Sequence, residues 1–280
     1  MTQPSLPESF SFDQGKLQDY VDCPRRFQLR HVLMRPWPAL ITGKPTEAER
    51  DRQLGEDLHR LAYQLELGLE IDTLSRSIED PELATWWQTL LSRPPAPLPQ
   101  SVRRPELVLS APLAGHRLVA KYDLLAVEPG QRLVIVEWKT AHHRPGRSYL
   151  AARLQTRVYR AVAARAGAAV NAGRAPDPEQ IEMVYWFARQ GGETERFPYD
   201  AAQHQADLEY LAHLVDEVVQ QPAAEEWPLT PDERHCRFCN YRSLCERHVE
   251  PGFPDDAPDD LDGEPVEFEF DLEQIAEIEF

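Results

Sequence analysis

Glu137 and Lys139 stand two residues apart in the segment VEWKT, directly after the apolar run Leu133, Val134, Ile135. On a β-strand, residues i and i+2 share a face, so the carboxylate and the ammonium meet while Trp138 points the other way. Upstream, residues 116–128 and 132–140 flank Pro129-Gly130-Gln131, a hairpin turn signal. A three-residue turn there sets residues whose numbers sum to 260 opposite one another, and Asp123 and Glu137 form such a pair. Opposed side chains lie ~4.5–5.5 Å apart at Cβ. Two carboxylates this close repel, and a divalent cation removes the conflict. Oxygen donors suit Mg²⁺ or Mn²⁺ and leave positions for water and phosphate. Such a cation polarises a phosphate oxygen and lowers the pKa of a bound water. Lys139 is placed to orient that water or to stabilise charge on the phosphorane. The same residues also fit a surface Glu–Lys pair at a strand end beside an unrelated Asp; spacing alone does not decide.

A second constellation is Cys236-x2-Cys239-x5-Cys245, with Cys23 standing alone near the other end. Three thiols at ligand spacing require a fourth donor. A zinc site would take His235 or His248 and leave Cys23 an ordinary thiol. Alternatively Cys23 closes a Cys₄ site across 212 intervening residues, which a [4Fe–4S] cluster accepts.

Several elements must position these groups. Residues 13–34 read as two helices broken at Cys23-Pro24, with Pro24 suited to a first helical turn. Residues 46–70 carry Leu54, Leu58, Leu61 and Leu65 at helical spacing. A shorter helix follows at 81–91, then the breaker PPAPLP. The period then changes: 106–113, 116–128 and 132–140 read as three strands. A helix is predicted over 148–164, a hairpin over 181–199 and a helix over 200–219. The order implies an α/β domain with a mixed central sheet and flanking helices. The parts are 1–45, 46–99, 100–200, 201–250 and an acidic tail, 251–280, expected to be disordered.

The formal net charge of −17 taken as a sum disfavours nucleic acid, but its distribution matters more. Residues 251–280 hold twelve acids and no Lys or Arg, leaving −5 for residues 1–250 (30 basic against 35 acidic). From Lys139 to Pro176 there are one Lys, seven Arg and no acid. Arg153, Arg157 and Arg160 fall at i, i+4, i+7 of the expected helix, with Tyr149 and Tyr159 interleaved. This reads as a phosphate-guiding track extended by Arg25, Arg26 and Arg30, or as a solvated helix face. The tail reads as a solubilising segment, an acidic mimic of DNA, or a docking segment for a protein partner. No run reaches membrane-spanning length and no signal pattern opens the chain, so a cytoplasmic location is expected.

Asp123 followed by Glu137-Trp138-Lys139 resembles the D…(D/E)-x-K signature of the PD-(D/E)XK nuclease superfamily. Gln155 and Tyr159 in LQTRVY resemble the Q-x-x-x-Y element of its RecB-like branch, and His59 in LGEDLHRLAYQLE resembles that branch's helix-borne histidine. CPRRF at 23–27 is similar to the start of its iron–sulfur subgroup, which includes the AddB nuclease domain and the CRISPR-associated RecB-like nucleases. The resemblance implies His59, Asp123, Glu137 and the Trp138 carbonyl as ligands of Mg²⁺ or Mn²⁺, with Lys139 catalytic. It also implies that Gln155 and Tyr159 help hold substrate or site. It favours a [4Fe–4S] cluster on Cys23, Cys236, Cys239 and Cys245, clamping both ends of the chain around a restriction-endonuclease-like core. Glu106 is a further acidic candidate. The implied function is an exonuclease on single-stranded DNA ends, in DNA repair and recombination or in CRISPR spacer acquisition. A non-catalytic DNA-binding module of the same fold, or a zinc-stabilised nuclease acting on RNA, remain the alternatives.

Overall fold

A computed structural model describes residues 6–7, 9–36, 47–95, 97–222 and 225–252. The predicted break at Cys23 is present: α1 (Gln14–Asp22) is capped by Asp13, whose carboxylate accepts from Lys16 N–H at 2.8 Å, and α2 (Pro24–Phe27) starts at Pro24. A π-helical turn follows at Gln28–Val32. Next come α3 (Glu47–Glu66), α4 (Ile71–Arg76) and α5 (Pro81–Ser92), the last opened by Asp80, which accepts from Glu82 and Leu83 N–H. Strand β1 (Ser11–Phe12) is too short to carry a periodic signal.

The sheet is built from β2 (Val102–Leu113), β3 (His116–Glu128), β4 (Arg132–Lys139), β5 (Ile181–Phe187) and β6 (Glu193–Pro198) together with β1. It is mixed, as the element order implied. β3 pairs antiparallel with β2 and β4 and parallel with β1; β4 and β5 run parallel; β5 and β6 are antiparallel. The β3–β4 turn sets Leu124 opposite Val136 and Glu128 opposite Arg132, the register that a three-residue turn demands. Between β4 and β5 the chain crosses over through α6 (Arg147–Ala152) and α7 (Leu154–Ala166). The single helix expected over 148–164 is therefore two, because Arg153 adopts φ −55°, ψ 142° and interrupts the helical hydrogen bonds.

Two apolar layers hold the sheet. Leu125, Leu133 and Ile135 pack with Val158 and Val162 of α7 and with Leu211 and Val215 of α8 (Ala201–Gln220). On the other face Leu124, Val134, Val136 and Trp186 pack with Leu54 and Leu58 of α3 and Trp87 of α5. β4 is buried on both faces, which is why it reads as a nearly continuous apolar run up to its charged end.

Segments 25–28 and 225–228 meet on the first layer. Trp227 stacks on Phe27 with centroids 5.6 Å apart, and Trp227 N–H donates to Gln28 Oε1 at 2.9 Å. Gln28 Nε2 donates to Glu225 C=O at 2.7 Å and Arg25 N–H to Pro228 C=O at 3.1 Å. A short helix, α9 (Arg234–Arg237), and a 3₁₀ turn at Arg242–Leu244 precede the end of the described residues. Of the tail expected to be disordered, residues 253–280 lie outside the described residues.

Candidate active site

The β3–β4 ladder stops at Leu124–Val136, one pair short of Asp123 and Glu137. There a side chain replaces the backbone: Asp123 Oδ2 accepts from Trp138 N–H at 2.8 Å. In an extended strand the N–H and C=O of one residue point the same way, so the Trp138 carbonyl also faces the Asp123 side. Lys139, one residue on, turns its carbonyl to β5, where it accepts from Ala188 N–H at 2.8 Å. The Trp138 ring lies on the opposite face, edge-on to Trp186 at 5.7 Å. Glu137 and Lys139 share the α7 face, as alternation requires, with Lys139 Nζ 3.1 Å from Glu137 Oε1. Both residues are buried, at 3% and 9% exposure, so this is not a surface ion pair.

Gln155 Nε2 donates to the same Glu137 oxygen at 2.6 Å, so the predicted Gln155 positions the carboxylate directly. Tyr159, one turn further along α7, is buried with its ring 5.2 Å from that of Tyr122. Burial, reinforced by Glu137 and Asp123, pushes its phenol well above the ordinary value and keeps it neutral. Tyr185, beneath Lys139, is raised by burial too, opposed by Lys139 and Arg153.

Asp123 sits where face alternation slips. Tyr122 and Leu125 both belong to the α7 layer, and Leu124 belongs to the other. Its opposite number in β2, Glu106, has φ 54°, the left-handed conformation that inverts a strand's alternation, and this pair drops out of an otherwise regular ladder. The carboxylate is thereby open to groups from both layers. From α3, His59 Nδ1 comes to 3.2 Å from Asp123 Oδ1. Burial pushes the Asp123 carboxyl up, but His59, Trp138 N–H and Lys139 together outweigh it and hold the pKa below the ordinary value.

Sequence reasoning missed how α3 gets so close. Gly55, one turn before His59, lies against the strand end: a Cβ built there would fall 2.9 Å from Thr140 Oγ1. A glycine inside an otherwise strong helical pattern was the available signal. Glu106, Asp123 and His59 each offer a donor atom, all within 4.8 Å of one another. Two carboxylates and an imidazole are a donor set that fits Mn²⁺ or Mg²⁺.

A family model for the PD-(D/E)XK nuclease superfamily matches residues 11–246. The chain belongs to that superfamily. Its members use divalent metals. Among solved structures, 24 chains match. One, from Eubacterium rectale and described as a "Putative exonuclease", is 10% identical with a TM-score of 0.51, covering 88% of this chain and 91% of its own. Another, SSO0001, is 12% identical with a TM-score of 0.45, covering 87% and 89%. At these identities the first likeness speaks for the fold. No curated protein matches the chain.

Away from the superfamily's strand-end site, Cys23, Cys236, Cys239 and Cys245 line one cavity, joined by Arg26 and His235. No three of the four sulfurs lie within 4.8 Å of one another. Burial pushes the Cys239 thiol up to about 11 and raises Cys245 as well, with Cys23 adding to both. His248 does not line the cavity.

The basic track requires correction. Arg160 is buried and donates to Thr156 C=O, Pro198 C=O and Asp207, so it faces inward rather than along an exposed stripe. Arg157 pairs with Asp207 at 3.4 Å and lies over Tyr210, and Arg153 occupies the α6–α7 break over Tyr149. Arg144 and Arg147 pair with Glu193 and Glu195 of β6. The local positive charge of 139–176 is thus largely balanced by acids that the fold brings in from β6 and α8. Arg26 and Arg30 pair with Asp19 of α1, and Arg25 with Glu226. No helix among the described residues is long and apolar enough to cross a membrane.

Proposed function

We propose that this chain is a metal-dependent deoxyribonuclease of the RecB-like branch, hydrolysing phosphodiester bonds at single-stranded DNA ends. The observation that carries the reading is the buried strand end where Asp123, Glu137 and Lys139 converge with Gln155 and His59. A surface pair would not bury these charges, and burial without compensation is costly. Mg²⁺ or Mn²⁺ bound there supplies a polarised phosphate oxygen and an acidified water. Asp123, Glu137 and the Trp138 carbonyl would hold it, with His59 beside Asp123. Gln155 fixes the Glu137 carboxylate so that its orientation does not depend on the ion. Lys139, 3.1 Å from Glu137, faces the same space and serves to hold the attacking water or to offset charge on the phosphate. Tyr159 stays protonated and walls the α7 side. Arg153, which lies over Tyr149 and bears on the Tyr185 phenol, is the arginine we assign to the phosphate backbone, together with Arg157.

The four thiols around one cavity support a [4Fe–4S] cluster as a structural clamp. The choice of iron–sulfur over zinc rests on the resemblance of Cys23-Pro24 and the C-terminal cysteine triplet to the iron–sulfur subgroup. The parts follow as a clamp (residues 1–45 and 201–250), a His59-bearing helical segment (46–99) and the nuclease core (100–200), in a cytoplasmic protein of DNA repair or CRISPR spacer acquisition. The acidic tail is assigned to a protein partner. The test is a panel of end-labelled single-stranded DNA, duplex DNA, RNA and circular single strands with Mg²⁺ or Mn²⁺. Degradation confined to linear single-stranded DNA is expected. Equal cleavage of circles overturns the end requirement, and preference for RNA overturns the substrate.

A further inference from the structure

Along α3, Asp51, Gly55 and His59 fall at i, i+4 and i+8 and share one stripe of the helix. Each meets the strand end or the residues that leave it. His59 Nδ1 is 3.2 Å from Asp123 Oδ1, Gly55 lies against Thr140, and Asp51 Oδ1 pairs with Arg189 Nη2 at 2.7 Å. The first contact is at the proposed metal ligands and the second is a close steric approach. The third is a directional ion pair two turns away, about 12 Å along the helix axis.

Arg189 is mostly buried, with its side chain 14% exposed. Its Nε donates to Thr140 C=O at 2.8 Å, its Nη1 pairs with Glu82 at the start of α5, and its guanidinium lies 4.7 Å from the centre of the Trp86 ring. The residue before it, Ala188, donates its N–H to Lys139 C=O, so the pairing of β4 with β5 sets where Arg189 begins. One planar fork thus ties α3 and α5 to the backbone that follows Lys139. The apolar contacts of Leu54, Leu58 and Leu61 are non-directional and tolerate a small slide or roll of α3. A guanidinium bonded to two carboxylates and a carbonyl does not. Burial raises the Asp51 carboxyl, but His142 and Arg189 outweigh it and hold the pKa below the ordinary value, so Asp51 stays charged.

We propose that Arg189 is a positioning residue for the active site: it sets the height and roll of α3 on the strand end so that His59 meets Asp123. The proposal rests on the metal-dependent reading, in which His59 stands beside the ion.

The experiment measures Mn²⁺ binding by equilibrium dialysis to the full chain as wild type, Arg189→Met, His59→Ala and the double variant. In parallel, the metal-free proteins are treated with diethyl pyrocarbonate, and modification of His59 is followed by peptide mass spectrometry. Arg189→Met is expected to weaken Mn²⁺ binding about tenfold, the scale of a lost supporting contact. In the His59→Ala background the same substitution should change binding by less than about twofold, because a positioning residue acts through the side chain it positions. His59 should be modified faster in Arg189→Met than in wild type. Arg189→Lys keeps the charge but not the fork, and should behave like Arg189→Met. An equal loss of binding in both backgrounds, or His59 reactivity unchanged by Arg189→Met, overturns the proposal and leaves Arg189 a structural ion pair. A wild type that binds no Mn²⁺ overturns the metal reading instead, and the reactivity of His59 still decides the role of Arg189.

Discussion

The acidic strand end joins residues 123 and 137–139 through one hairpin, whereas the cysteine cavity joins residue 23 to residues 236–245. The first is a local construction. Its positions follow from a turn, a register and strand alternation, and its groups are charges that burial makes costly. The second is a long-range construction of thiols, a less polar group than a carboxylate or an ammonium, and burial raises Cys239 and Cys245. Sites of the first kind sacrifice stability for chemistry; sites of the second kind hold a chain together. Damage to the two should therefore appear in different measurements.

The largest effect is expected at the cavity. Cys23→Ser should abolish iron and acid-labile sulfide and lower the unfolding free energy by on the order of 5 kcal/mol, the chain-entropy value for a loop of this size. Urea unfolding and metal analysis of anaerobically purified protein check it. Zinc in place of iron, or unchanged stability, would erase the contrast between the two regions. Next is Lys139→Ala, which should reduce turnover by roughly 10²–10³-fold, as the loss of one charge-stabilising donor does. Its iron content and circular dichroism should match wild type. A loss of iron would mean the regions are coupled.

A smaller effect is expected at Gly55. Alanine favours the helix by about 1 kcal/mol but meets Thr140 Oγ1, displacing α3 and with it His59. Near-neutral stability with about tenfold weaker Mn²⁺ binding is expected, the scale of a displaced supporting shell. Unchanged binding would remove His59 from the metal site. The smallest effect concerns Asp19, beside the cavity. Burial raises its carboxyl, but the hydrogen bond from His31 and the charges of Arg26 and Arg30 outweigh this, so its pKa is depressed. A depressed carboxyl contributes stability above the ordinary Asp range near pH ~4 and loses it as pH falls through the folded value. Asp19→Asn should therefore be less stable than wild type at neutral pH, with the gap closing in acid. A gap independent of pH would contradict the ion-pair account.

The legibility of the two regions differs for the same reason. The hairpin could be read because Pro129-Gly130-Gln131 and strand alternation fix Asp123 and Glu137 without reference to the rest of the chain. Trp138 on the far face followed from the same rule. Glu106 and Gly55 were not legible in these roles, since a left-handed strand residue and a close helix approach depend on neighbours that only the fold supplies. The arginines misled for a related reason: the basic run contains no acid, and its partners Glu193, Glu195 and Asp207 arrive from later elements. The cysteines offered ligand spacing but no choice of metal, and that choice came from resemblance.

The most direct test of the central claim measures Mn²⁺ binding and cleavage of 5′-labelled single-stranded DNA on the same preparations of wild type, Lys139→Ala and Asp123→Asn. The account predicts that wild type binds and cleaves, that Lys139→Ala binds but cleaves roughly 10²–10³-fold more slowly, and that Asp123→Asn does neither. Cleavage by Asp123→Asn at the wild-type rate would contradict it.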